Sequence, residues 1–154
     1  MAAGTWKAFS KAKKSIGNGG ITFGAGVFKM SLHRASASAA LAALAISTFA
    51  SLTGEISARG GYVTGGRNIV PATGQWTVGA SAKQYKFTYS SIGLVYTASG
   101  SALNNIKYAV IRNSTGAGAG KLLCFCTLSS AAFTIASPNT LTITPAATGI
   151  FTLT

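Results

Sequence analysis

The strongest constraint on this chain is a pattern that repeats from Trp76 to Leu153. Short runs of β-branched and aromatic residues alternate with Gly, Ser, Asn or Pro. The runs are Trp76–Val78, Tyr85–Tyr89, Leu94–Tyr96, Ile106–Ile111, Lys121–Leu128, Phe133–Ile135, Leu141–Ile143 and Ile150–Leu153. Side chains that branch at Cβ or carry a ring suit a pleated, half-buried surface, and the residues between them suit turns. Strands this short, at this spacing, predict antiparallel pairing and an antiparallel β-sandwich. Ser114–Gly120 (STGAGAG) reads as the flexible turn of a hairpin.

The first half reads differently. Thr5 to Ile16 predicts a short helix, with Thr5 as N-cap and Trp6, Phe9 and Lys13 at helical spacing. Lys7, Lys11 and Lys14 take its more polar side, and Gly17–Gly20 (GNGG) stops it. Val27 to His33 alternates. Phe28, Met30 and Leu32 face one way; Lys29, Ser31 and His33 face the other, which predicts a half-buried strand with His33 on its outer face. Ser36 or Ser38 caps a second helix whose face carries Leu41, Leu44, Thr48 or Phe49, and Leu52, with Gly54 near its end. Gly60, Gly61, Gly65 and Gly66 bracket Tyr62 in a tight crossing that shapes the fold, and Asn68–Val70 resume extended chain before Pro71. The expected fold is α+β and β-dominated, an antiparallel β-sandwich with two short helices. Residues 1–20 form a basic N-terminal helix or arm. Residues 21–154 form a single β-rich domain with an inserted helix near 38–53.

Charge then narrows the chemistry. The 154 residues include 13 Lys and Arg but one acid, Glu55, for a net charge of +12. With 48% apolar residues the chain has the means to build a core, so global disorder is excluded. The missing carboxylates exclude a two-carboxylate glycosidase, an oxygen cage for Ca²⁺ or Mg²⁺, and a Ser-His-Asp triad in which anything but Glu55 replaces the Asp. His33 is the single histidine, and no neighbour in sequence marks it as a base. Glu55 is expected to pair with Arg59 at i+4 or with a distant Arg. Gly17–Gly26 lacks a following GK[ST], and GAGAGK at 116–121 runs into Leu122 and a strand, so neither glycine cluster is a P-loop. Cys124 and Cys126 are one residue apart, which on a strand puts both on one face about 7 Å from each other. That geometry suits neither a disulfide nor a CxxC site, and both are expected to be buried. No catalytic residue, cofactor or metal site is predicted.

Nothing reads as a membrane segment. Ala39–Ala50 is far shorter than the roughly 20 apolar residues that span a bilayer, and the start, MAAGTWK, lacks a signal-peptide core. The cations divide into a cluster, Lys7, Lys11, Lys13 and Lys14, and single scattered residues. The cluster points to an acidic partner. Tyr85, Lys86, Phe87 and Tyr89 superficially resemble a nucleic-acid platform, but the three rings share the face a core needs, and no RNP1-type motif accompanies them. Nucleic acid is therefore the disfavoured partner. Only 9% of residues are charged, which leaves the surface weakly defended against self-association and fits a chain that works in an assembly.

The order of features resembles a known family. A short N-terminal helix and a Gly-rich turn precede VFKMSLHR (Val27–Arg34), then a helical stretch and TGEISARGGYVTGGRNI (Thr53–Ile69). A Trp-bearing strand follows, then IKYAVIRN (Ile106–Asn113), GKLLCFCTL (Gly120–Leu128) and TPAATGIFTL (Thr144–Leu153). Across nearly the whole chain this resembles a family of small structural proteins of tailed bacteriophages. The resemblance implies a non-enzymatic virion component: a capsid decoration (cement) protein docked on the major capsid protein in many copies, or a tail-associated protein such as a fibre or tail-tip component. Trp6, Lys7, Phe9, Lys11, Lys13 and Lys14 would then be the docking arm. The chain departs from the family in lacking acids around its first strand.

Overall fold

A computed structural model describes residues 4–24, 26–69, 76–79, 84–90 and 93–153. Val70 and Pro71, where the sequence places the end of an extended stretch, lie outside these. The elements are β1 (Lys7–Ala8), α1 (Ser10–Gly17), β2 (Phe28–His33), α2 (Ser38–Ala43), β3 (Arg67–Asn68), β4 (Trp76–Val78), β5 (Tyr85–Phe87) and β6 (Leu94–Thr97). β7 (Leu103–Ile106), β8 (Tyr108–Asn113), β9 (Leu122–Thr127), β10 (Phe133–Ile135), β11 (Thr140–Ile143) and β12 (Phe151–Leu153) follow. The fold is β-dominated α+β, with antiparallel sheets and two short helices, as the strand pattern predicts.

The main sheet has five strands in the order β1-β9-β8-β2-β3. Smaller sheets are β10-β7, β11-β6 and β12-β5-β4. Register explains the core. Met30 lies opposite Ile111, and Ile111 opposite Cys124; Leu32 lies opposite Ala109, and Ala109 opposite Cys126. Opposed residues of antiparallel strands share a face. Phe28, Met30, Leu32, Ala109, Ile111 and both cysteines therefore line one side, all buried. The small sheets close over them. The Phe28 and Phe87 rings are 5.0 Å apart, and the Tyr96 hydroxyl donates to Met30 O at 2.5 Å.

The opposite side of β2 corrects one expectation. His33 and Ser31 are fully buried, not on an outer face. The reason is tertiary: residues 44–56 run across that side of the sheet. Leu122 N–H donates to Ser47 O at 3.1 Å, Phe49 N–H to Gly120 O at 2.7 Å, and Ile56 N–H to Leu32 O at 3.0 Å. Phe49 then stands edge-on to the His33 ring at 6.0 Å.

This strap also shortens the second helix. The helix expected near 38–53 is only α2, preceded by a 3-10 turn at Ala35–Ala37. Leu44 takes the left-handed conformation, φ 53°, and ends it. Thr48 is extended, and a second 3-10 turn covers Phe49–Ser51.

The N-terminal segment differs too. Thr5 does not cap a helix. β1 pairs with β9 (Lys7 opposite Phe125), and Phe9 N–H donates to Leu123 O at 3.1 Å. Phe9 itself is the N-cap of α1, with no side-chain cap. The segment is extended because the outer edge of β9 is open there and supplies backbone partners that a first helical turn lacks. Within the described part of the expected arm, Phe9 and Ala12 belong to the core, and the Phe9 and Phe125 rings are 5.5 Å apart.

Candidate interaction surface

The six residues singled out from the sequence divide into two kinds. Lys7, Lys11, Lys13 and Lys14 are exposed. On α1, Ala12 is buried and Ile16 packs on the core, so the three lysines occupy the outer arc at 100° per residue. Lys7 sits beside them on β1 rather than on the helix. Phe9 is 0% exposed, which removes it as a docking contact. Trp6 is half-buried against the core, and its ring N–H is buried without an acceptor among the described residues. A docking surface here consists of lysines. Phe9 holds it in place from beneath.

Several other cations are tied into the fold. Arg67 donates to Val95 O, Lys86 to Ala147 O at 3.1 Å, and Arg112 to Gly65 O at 3.1 Å. Arg112 also stacks over the Phe49 ring at 4.3 Å, and Lys107 stands over Tyr108 at 5.7 Å. These cations do structural work that single scattered positions in a sequence do not reveal.

The one carboxylate is structural as well. Glu55 Oε1 accepts from the Tyr62 hydroxyl at 2.6 Å and from Gly65 N–H at 2.7 Å. Among the described residues these are its partners, not Arg59. The i+4 argument fails because residues 54–59 are not helical. Tyr62 Oη accepts in turn from Leu32 N–H at 3.1 Å, so one phenol ties the glycine-rich crossing to central strand β2. Burial first, then the adjacent Glu55, pushes the Tyr62 phenol far above its ordinary range. It stays a neutral donor. Gly66 makes this approach possible. It has φ 76°, and a Cβ there would overlap Met30 O.

His33 is held inside the fold. Its Nε2 shares a 2.9 Å hydrogen bond with Ser31 Oγ. Its Nδ1 is buried and lacks a hydrogen bond of normal geometry, although the Thr53 backbone lies beside it. Burial lowers its pKa to about 4, against a smaller upward pull from Thr53. Cys124 and Cys126 are free and buried, as their spacing predicts. Burial drives the Cys124 thiol well above its ordinary value and the Cys126 thiol to about 12, so both are inert.

Among the described residues no three His, Cys, Asp or Glu side chains come together as a metal site. No helix is long and apolar enough to cross a membrane, which says nothing of strands. Arg34, Asn104 and Asn105, which no sequence motif marks, converge on one pocket with Arg59, expected from the sequence only as a partner of Glu55. The available signal is the Asn pair inside LNNI, two poor strand formers just ahead of the strand predicted from Ile106.

No family model, curated protein or solved structure matches the chain.

Proposed function

We propose that this chain is a non-enzymatic structural protein of a bacteriophage virion, a capsid decoration protein that docks on the acidic surface of the major capsid protein. The observation that carries the docking mode is the contrast among its cations. Lys7, Lys11, Lys13 and Lys14 are exposed on one segment, whereas Arg67, Lys86 and Arg112 donate to backbone carbonyls of their own fold. Exposed ammonium groups clustered on a rigid base steer and orient an acidic partner. The order of motifs across the chain supports the virion assignment. Many copies would then brace the shell by mechanical contact, with no cofactor and no chemistry.

A tail-associated role is the second reading, supported by the same motif order. Quantitative mass spectrometry of purified particles separates the two. Hundreds of copies per particle are expected for decoration. A dozen or fewer assigns the chain to the tail, and absence from particles overturns both. Nucleic-acid binding is the third outcome: it would appear as retention of DNA or RNA at low salt with a steep salt dependence.

A further inference from the structure

We propose that the pocket between residues 56–59 and the bulge in β7 is a carboxylate-binding site, which receives an Asp or Glu side chain of an acidic protein partner. The proposal rests on the acidic-partner reading above and adds a second point of contact, away from the lysine segment in sequence. The pocket holds about 200 Å³ and is lined by Arg34, Ile56, Ser57, Arg59, Asn104 and Asn105. That volume admits a carboxylate and a few waters, at about 30 Å³ per water. Ile56 is the one apolar side chain in the lining.

One of the donors lacks an acceptor. Arg34 Nη2 donates to Ser57 Oγ at 2.8 Å, but Arg34 Nε is buried with no hydrogen-bond partner among the described residues. A guanidinium N–H buried without an acceptor is destabilising, and a turn of the guanidinium toward an oxygen held in the pocket removes that penalty. Arg59 supplies a second, exposed guanidinium. The chain cannot neutralise this pair with its own acid side chain. Glu55 is the sole Asp or Glu, and its Oε1 is already held by Tyr62 and Gly65. The ligand must come from another molecule.

The backbone is shaped for the same purpose. Leu103 pairs with Ile135 and Ile106 with Phe133, so Asn104 and Asn105 together stand opposite Thr134. This is a β-bulge, a device that re-aims side chains. Asn105 takes φ 59°, a left-handed conformation that Asn tolerates better than most residues. The bulge thus brings two amides to the rim beside two guanidiniums. Planar amide and guanidinium donors match a planar carboxylate. A nucleic-acid strand would instead call for stacking rings along an extended basic track, and no ring lines this pocket.

The test is an NMR titration of the purified full chain at constant ionic strength. The probes are acetate, a capped Gly-Glu-Gly peptide and inorganic phosphate, with chloride as the balancing ion. Both carboxylate probes are expected to shift the Arg34 and Arg59 Nε–H signals and the Asn104 and Asn105 amide signals to saturation. Arg59→Gln, at an exposed position, is expected to weaken peptide binding about tenfold while the fold is retained. Lys86→Gln, which changes a cation that donates to Ala147 O elsewhere in the fold, is expected to leave it unchanged. No saturable shift, or an Arg59→Gln protein that binds equally well, overturns the proposal. Phosphate binding more than about tenfold tighter than the peptide also overturns it, in favour of a phosphate site. Because the titration needs no particle, its failure would leave the copy-number result standing, and the reverse holds.

Discussion

The Glu55–Tyr62–Gly65 part of the glycine-rich crossing and residues 7–14 use polar groups in opposite ways. In the first segment, Glu55 and Tyr62 turn inward and bind each other, Gly65 N–H and the backbone of β2. In the second, the only fully buried side chains are Phe9 and Ala12, and four lysines stay in solvent. The difference separates the polar residues that specify the fold from those free to meet a partner. Substitution in the two segments should therefore register in different assays.

The largest effect is expected at Gly66. A methyl group there overlaps the Met30 carbonyl of β2 and also fixes a left-handed residue. Gly66→Ala should lower unfolding free energy by about 4 kcal/mol or more, measured as a fall in the urea midpoint, if the protein folds at all. An unchanged midpoint would show that the crossing is not what anchors β2.

Acid comes next, through His33. The ordinary imidazole pKa is 6.5, and burial lowers it in the folded protein to about 4. The unfolded chain therefore binds this proton first. Stability is full above pH 6.5, falls as pH drops toward 4, and loses no more from this group below that. The shift corresponds to about 3 kcal/mol. Urea midpoints between pH 7 and pH 4 should show the decline, and His33→Asn should flatten it.

Tyr62→Phe removes one hydroxyl and leaves both Leu32 N–H and Glu55 without that partner. A loss of about 2 kcal/mol is expected by the same measurement. The smallest effect belongs to the other segment. The triple change Lys11→Gln, Lys13→Gln, Lys14→Gln should move stability by no more than about 0.5 kcal/mol. It should nevertheless reduce incorporation into particles, measured by copy number. If it instead unfolds the protein, the contrast between the segments collapses.

Much of this fold was legible in the sequence. Phe28–His33 reads as a strand because apolar and polar residues alternate, and Tyr108–Asn113 and Leu122–Thr127 because apolar and β-branched residues dominate over a strand's length. The errors arose where distant chain decides local structure. Trp6, Phe9 and Lys13 fit a helical period, yet Lys7–Ala8 is a strand because β9 offers an edge over a hundred residues away. His33 falls on the polar side of an alternating strand, yet it is buried because residues 44–56 cross over it. The four exposed lysines were visible as a cluster. The Arg34 pocket was not, since Arg34 and Asn104 meet only after the sheets assemble.

The two borders of the main sheet carry a last consequence. β1 and β3 are each two residues long, and Lys7 and Arg67 stand on them, both exposed. A fibril grows by adding strands to a long, flat, uncharged ribbon, and neither border offers one. Copies of this protein packed side by side would meet at blunt, mutually repelling ends. The net charge of +12 adds to that repulsion, so a crowd of identical molecules remains a set of separate bodies.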